Sequence, residues 1–177
     1  MGAEEQSPWL GISDASERSE QLDPTDKVEK ARFRIGVFAI IERKGYYLLA
    51  HRSDIDWWNL PGGGLEYDET LEEGLAREVR EEIGSTIEIE RLVGVYSKPR
   101  KREVVLTFLC HLTLDSAEPG TSDEVSNVAW FLPSEFPTNL LPKHRQRLDD
   151  ALLSQTQAVI RAQITSTEED QRIPKGM

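Results

Sequence analysis

Cysteine, histidine and positive charge are all scarce in this chain, and each shortage removes a class of explanation. Among 177 residues there is one cysteine, Cys110, which excludes an internal disulfide. Lysine and arginine number 21 against 32 acidic residues, leaving a net charge of −11 and a pI near 4.8. Nucleic-acid binding depends on clustered positive charge, so this balance argues against DNA or RNA as the main partner. No apolar run reaches membrane-spanning length and nothing resembles a signal peptide, so the expectation is a soluble cytoplasmic protein that needs no membrane.

The length suits a single domain with tails. Residues 1 to 30 carry eight acids against three cations and little periodicity, and read as a poorly ordered acidic arm. Residues 31–164 read as the folded domain and residues 165–177 as a flexible tail. Phe33 to Ile41 form a β-rich run, Lys44-Gly45 a turn and Tyr46 to Ala50 a second strand, together a hairpin. Thr86 to Tyr96, Val104 to Leu114 and Asn127 to Leu132 read as further strands. In the second of these, Val104, Leu106, Phe108, Cys110, Leu112 and Leu114 share one face, which makes Cys110 core and His111 a residue of the opposite face. Pro142 to about Ile164 reads as a helix with Leu148, Leu152, Gln155 and Val159 along a stripe. Strands and helices so arranged favour an α/β fold, a mixed sheet covered by helices.

Acid is concentrated where the chain is most patterned. Gly63 to Ser85 holds eight carboxylates (Glu66, Asp68, Glu69, Glu72, Glu73, Glu78, Glu81, Glu82) and two cations, Arg77 and Arg80. Leu71, Leu75, Val79 and Ile83 recur every four residues as one helical stripe; Thr70 with Glu73 forms a capping box and Gly84 stands where a helix stops. At about 100° per residue, Glu78, Glu81 and Glu82 fall along one edge of that stripe. An acidic helix face is ordinarily a solvated one, with pairs such as Arg77 and Glu81. Here the carboxylates lie beside the core stripe, and the helix follows Leu60-Pro61-Gly62-Gly63-Gly64, where backbone can approach a ligand closely. Hard oxygen ligands from carboxylates and a backbone carbonyl suit Mg²⁺, with Mn²⁺ an alternative.

Gly63, Glu69 and the run Arg77-Glu78-Val79-Arg80-Glu81-Glu82-Ile83-Gly84 resemble the Nudix box, Gly-x5-Glu-x7-Arg-Glu-U-x-Glu-Glu-x-Gly-U with U apolar. Ser85 departs from its last position. The resemblance, looser from about Phe33 to about Leu153, implies an α/β/α sandwich and a metal-dependent hydrolase that cleaves a diphosphate bond in a small nucleotide. It implies that Glu78, Glu81 and Glu82 bind the metal with the carbonyl of Gly62, and that Arg77 orients a carboxylate. An acid outside the box often completes such sites, and Glu124 is the best match here. Loss of catalysis, leaving a ligand-sensing module, normally shows as substituted box glutamates, and all are intact. An isomerase of the same fold needs a catalytic cysteine, for which Cys110 inside a strand is poorly placed.

Substrate recognition is less marked. Lys98, Arg100, Lys101 and Arg102 put four cations in five residues, either to grip a terminal phosphate or as a solvated hairpin tip. Trp57 and Trp58 offer rings for stacking a base, although one of them belongs in the core, and Arg52 is a further cation. ADP-ribose-like compounds and nucleoside triphosphates lead the substrate classes, and a homodimer is allowed.

Overall fold

The computed structural model describes residues 33–153 and 157–163. The expected acidic arm and C-terminal tail lie outside the described residues. The apolar run after Phe33 becomes β1 (Arg34–Arg43), which turns through Lys44 and Gly45, both at positive φ, into β2 (Tyr46–Arg52). Two short strands follow, β3 (Trp58–Asn59) and β4 (Gly62–Gly64), and then helix α1 (Leu71–Ile83). β5 (Ile87–Lys98) and β6 (Glu103–Leu112) are joined by a single 3-10 turn over Pro99–Lys101. β7 (Val125–Phe131), α2 (Pro142–Leu152) and β8 (Val159–Ala162) complete the domain.

The strands form one mixed sheet in the order β3-β2-β1-β6-β5-β8, with β4 on β1 and β7 on β2. β1 runs parallel to β6 from Arg34 opposite Glu103 to Ile41 opposite Cys110, and antiparallel to β4 through Gly36, Val37 and Phe38. Such a strand is covered on both faces, which is why it reads as a nearly continuous apolar run. Val37, Ala39 and Ile41 pack with Leu75, Val79 and Ile83 of α1. Ile40, on the opposite face, packs with Leu148 and Ala151 of α2. A helix therefore covers each face, as the sequence reading expects.

The capping box of α1 forms as predicted: Thr70 Oγ1 accepts from Glu73 N–H at 3.2 Å, Glu73 Oε2 accepts from Thr70 N–H at 2.9 Å, and Gly84 closes the helix. Cys110 is buried, its thiol pushed up to about 12 by that burial, and is a core residue. Two expectations are corrected. The second helix ends at Leu152 rather than near Ile164, and Val159–Ala162 adds a parallel strand to β5 with Gly94 opposite Val159. Unpaired N–H and C=O groups along β5 offered Val159 and Ile160, both β-branched, a ladder that outweighs a continued helix. Leu114 lies beyond β6 and is exposed, so the apolar face ends at Leu112.

Leu75 is fully buried between α1 and the sheet, and Leu75→Ala would remove its contacts and leave a cavity. We expect a loss of about 2–5 kcal/mol of unfolding free energy, read as a lower urea midpoint at unchanged m value.

Candidate active site

Backbone and carboxylate meet without side chains between them where β4 passes α1. Gly62 has φ +131°, and a Cβ there would sit 2.2 Å from the carbonyl oxygen of Val37. Its N–H donates to Glu82 Oε2 at 2.8 Å. A Cβ on Gly63 would lie 2.6 Å from Glu78 Oε2, so any larger residue would displace that carboxylate. The glycine run thus lets a strand edge press onto the acidic edge of the helix.

Arg77 orders the acids around it. Its guanidinium donates through Nε and Nη2 to both oxygens of Glu69 at 2.7 and 3.0 Å, through Nη1 to Glu78 at 3.0 Å and Glu81 at 3.2 Å, and through Nη2 to the Gly64 carbonyl at 3.0 Å. That fork holds Glu69 far down, at about 2, and raises the Arg77 pKa further. Arg77 therefore ties the loop before the helix to two carboxylates of the helix itself.

A cleft of about 430 Å³ opens in front of these groups. Glu78, Glu81, Glu82 and Glu124 line it together with Gly62, Gly63 and Gly64. Arg52 and Asn59 face it from β2 and β3, and Phe38, Leu141 and His144 form a more apolar end. A smaller hollow of about 240 Å³, lined by Arg52, Ser53, Asp54, Asn59, Glu82 and Glu124, also involves Val125. Glu124 comes from a distant loop, and its main chain is clamped by Ser53, whose N–H donates to Glu124 O at 2.9 Å and whose Oγ donates to Asp123 O at 2.7 Å. The chain leading to it is pinned under α1: Ser85 is fully buried and donates to Ala117 O at 3.0 Å, and Gly120 N–H donates to Ile83 O at 2.9 Å. The departure from the box at Ser85 is thus a satisfied polar contact.

Four carboxylates in one cleft repel, and burial raises the cost of charging them. Glu82 is pushed up to about 8, first by burial and then by Glu78 and Glu124, against the Gly62 N–H that favours its ionised form. Glu78 is raised, again by burial first, with Arg77 opposing. His144 is held well below its ordinary value by burial among Arg147, Lys98 and Arg52, and its Nδ1 accepts from Leu60 N–H at 3.0 Å, so the ring is neutral with its proton on Nε2. Arg52 is steadied by Asp54, donating through Nε at 2.8 Å and Nη2 at 2.6 Å.

The sequence-predicted residues divide into two groups. Glu78, Glu81, Glu82, Glu124, Gly62 and Arg52 share the cleft, and Arg77 stands behind two of these acids, Glu78 and Glu81. They share a cleft rather than one coordination sphere: among the described residues no three His, Cys, Asp or Glu side chains lie close enough to hold a metal ion as they stand. Trp57, Trp58, Lys98, Arg100 and Lys101 do not line it. Trp58 packs edge-on to His51 and Phe131 in the core layer facing α2. Lys98 is turned inward to Glu103 at 3.1 Å, and burial lowers it to about 8; Arg100 and Lys101 sit exposed on the 3-10 turn. The sequence reading missed Phe38, Ser53, Asn59, Leu141 and His144. Only Asn59, three residues before Gly62, carried a positional signal; the others are brought in by pairing across the fold.

Known proteins resemble this chain over most of its length. The NUDIX domain family model matches residues 30–152. A MutT-like protein from Streptomyces ambofaciens is 37% identical over 130 residues, 73% of this chain and 83% of its own. A protein named putative 8-oxo-dGTP diphosphatase from Bacillus subtilis is 30% identical over 117 residues, 65% of this chain and 77% of its own. Among solved structures, a NUDIX hydrolase from Nitrosomonas europaea superposes with TM-score 0.66 at 27% identity, covering 75% of this chain and 79% of that one.

The raised Glu82 carboxyl sets a pH dependence of stability. Its proton is bound in both states below about 4.5, only in the folded state between there and about 8, and in neither above. Its contribution to stability is therefore lost as pH rises through that window. Urea unfolding in EDTA should show the wild type falling relative to Glu82→Gln between pH 5.5 and 8.5; parallel profiles would remove burial of a protonated Glu82 as the cause.

Proposed function

The chain belongs to the Nudix family and carries its pyrophosphohydrolase fold, and from that premise we propose that it hydrolyses a diphosphate bond in a nucleoside triphosphate or a related nucleoside diphosphate derivative, using Mg²⁺. The observation that carries this reading is the single cleft faced by Glu78, Glu81, Glu82 and Glu124 on one side and by Arg52 on another. The donor set suits a hard divalent cation: carboxylate oxygens, a glycine-rich strand with no side chains of its own over its backbone, and a buried Glu82 whose ionised form lacks a cationic partner in hydrogen-bond contact. Glu78, Glu81 and Glu82, with Glu124 and the Gly62 carbonyl, would hold it. When bound, such an ion neutralises phosphate oxygens and acidifies water.

The chain's own groups supply the rest. Arg77 keeps Glu78 and Glu81 aimed at the cleft and Ser53 keeps Glu124 there, so little reorganisation remains when charge builds on the phosphate oxygens. Arg52, held in a fixed orientation by Asp54, offers a guanidinium to a phosphate that does not react. Water adds to phosphorus as the bridging P–O bond breaks; its proton passes to a cleft carboxylate and on to solvent, and the bridging oxygen leaves with the bonding pair on the departing phosphate. The relative named as an 8-oxo-dGTP diphosphatase supports placing nucleoside triphosphates first, and a cleft of about 430 Å³ is of a size that takes such a ligand.

Release of phosphate or pyrophosphate from nucleoside triphosphates, nucleotide sugars and ADP-ribose with Mg²⁺ or Mn²⁺ tests the reading, and a panel without turnover in either metal would end it. On the best substrate, Glu81→Gln and Glu82→Gln should each lower kcat by at least ~10²-fold with the far-UV spectrum unchanged. Arg52→Ala should raise KM with the smaller effect on kcat, because a contact to a non-reacting phosphate is shared by ground and transition states. Arg100→Ala with Lys101→Ala should leave KM within error, since neither residue lines the cleft.

A further inference from the structure

Asn59 occupies a position that a polar side chain rarely tolerates without a reason. It is 8% exposed, and its Oδ1 is buried with no hydrogen-bond partner among the described residues. Native proteins seldom leave such an acceptor unsatisfied, and a water or ion that completes it is one reason they do. Asn59 lines both the main cleft and the smaller hollow, in each case with Arg52, Glu82 and Glu124.

The smaller hollow holds more acceptors than donors. Asp54, Glu82 and Glu124 bring carboxylates to it, and Asn59 brings a carbonyl oxygen. Its hydroxyl, Ser53 Oγ, is spent on the Asp123 carbonyl, and Arg52 spends Nε and Nη2 on Asp54, which leaves Nη1 to face three carboxylates and the Asn59 oxygen. An acceptor added to such a set is well placed for a hard cation, or the water such a cation orients, to complete it.

We propose that Asn59 Oδ1 is an additional oxygen donor to the divalent cation held by Glu82 and Glu124, directly or through a water on that ion. The inference rests on the metal-dependent reading above. It assigns to the second residue of the β2–β3 pairing, Asn59 opposite Ala50, a role that no box residue fills. β3 is fixed at this point from both sides: Trp58 N–H donates to Asn139 O at 3.0 Å, and Leu60 N–H donates to His144 Nδ1 at 3.0 Å. The carbonyl is therefore presented by backbone already anchored, which limits the entropy lost on binding.

The test is a titration of Mn²⁺ by EPR detection of the free ion on the full chain, without substrate, together with thermal unfolding in EDTA. Asn59→Leu, which keeps the branched shape and removes the carbonyl, should weaken Mn²⁺ by ~10-fold or more, the scale on which supporting ligands act. It should leave the metal-free Tm equal or higher, because a buried unsatisfied acceptor has been removed. Asn59→Asp should tighten Mn²⁺ at pH 8. Unchanged Mn²⁺ affinity in Asn59→Leu, or a lowered metal-free Tm with unchanged affinity, overturns the proposal. If the leucine variant fails to fold, Asn59→Asp decides alone, and equal or weaker binding overturns it. Glu82→Gln is run in parallel: if it releases Mn²⁺ while both Asn59 variants bind as the wild type does, the proposal for Asn59 fails and the reading of the site stands. If the wild type itself does not bind Mn²⁺, the reading of the site fails.

Discussion

The structure depends on one close approach, the backbone of β4 against the carboxylates of α1. Gly62 gives an N–H to Glu82, and Gly63 lies so near Glu78 that even a methyl group would collide with it. Because β4 is also a rung on β1, that contact ties the acidic helix edge to the strand at the centre of the sheet. Cleft geometry and core packing are thereby one problem: the stripe Leu75, Val79 and Ile83 that buries α1 also fixes the helix whose carboxylates line the cleft.

Charge is managed in the same economical way. Bringing carboxylates together out of water is unfavourable, and the protein offsets part of it with a single guanidinium. Arg77 reaches Glu69, Glu78, Glu81 and the Gly64 carbonyl, binding the loop before α1 to the helix that follows. Glu82, buried and beyond that guanidinium's reach, retains a high pKa, supported by a backbone N–H and the more distant charge of Arg52. A buried acid so placed costs stability, and site residues are where folded proteins carry such costs. Ser85 and Ser53 add a second kind of order. One pins the chain that approaches Glu124 beneath α1, and the other holds the Glu124 main chain beside Arg52.

Local pattern made much of this legible. Thr70 with Glu73, the four-residue spacing from Leu71 to Ile83 and Gly84 are short-range signals, and the helix obeys them. Its glutamates could be placed on one edge because helical geometry is set by backbone hydrogen bonds alone. Strand pairing is different in kind, since which strands meet depends on partners far along the chain. Val159 continues a helical stripe on paper, yet the open edge of β5 takes it and Ile160 as a strand. Lys98 belongs by sequence to a basic loop, yet its ammonium is drawn inward to Glu103 across the β5–β6 pair.

The sequence by itself determined the acidic helix, its caps, the glycine run before it and hence the family and the divalent-metal chemistry that its residues suit, because each is written within a few turns of chain. Tertiary structure alone decided what faces those acids. Arg52 and Asn59 arrive through β2 and β3, Glu124 through a loop secured by Ser53, and Phe38 and His144 through the layer packed on α2. Tertiary structure likewise removed Trp58 to the core and Lys98 to an ion pair. The physical reason is range: capping and periodicity act between neighbours, whereas the walls of a cleft are set by which distant surfaces bury each other.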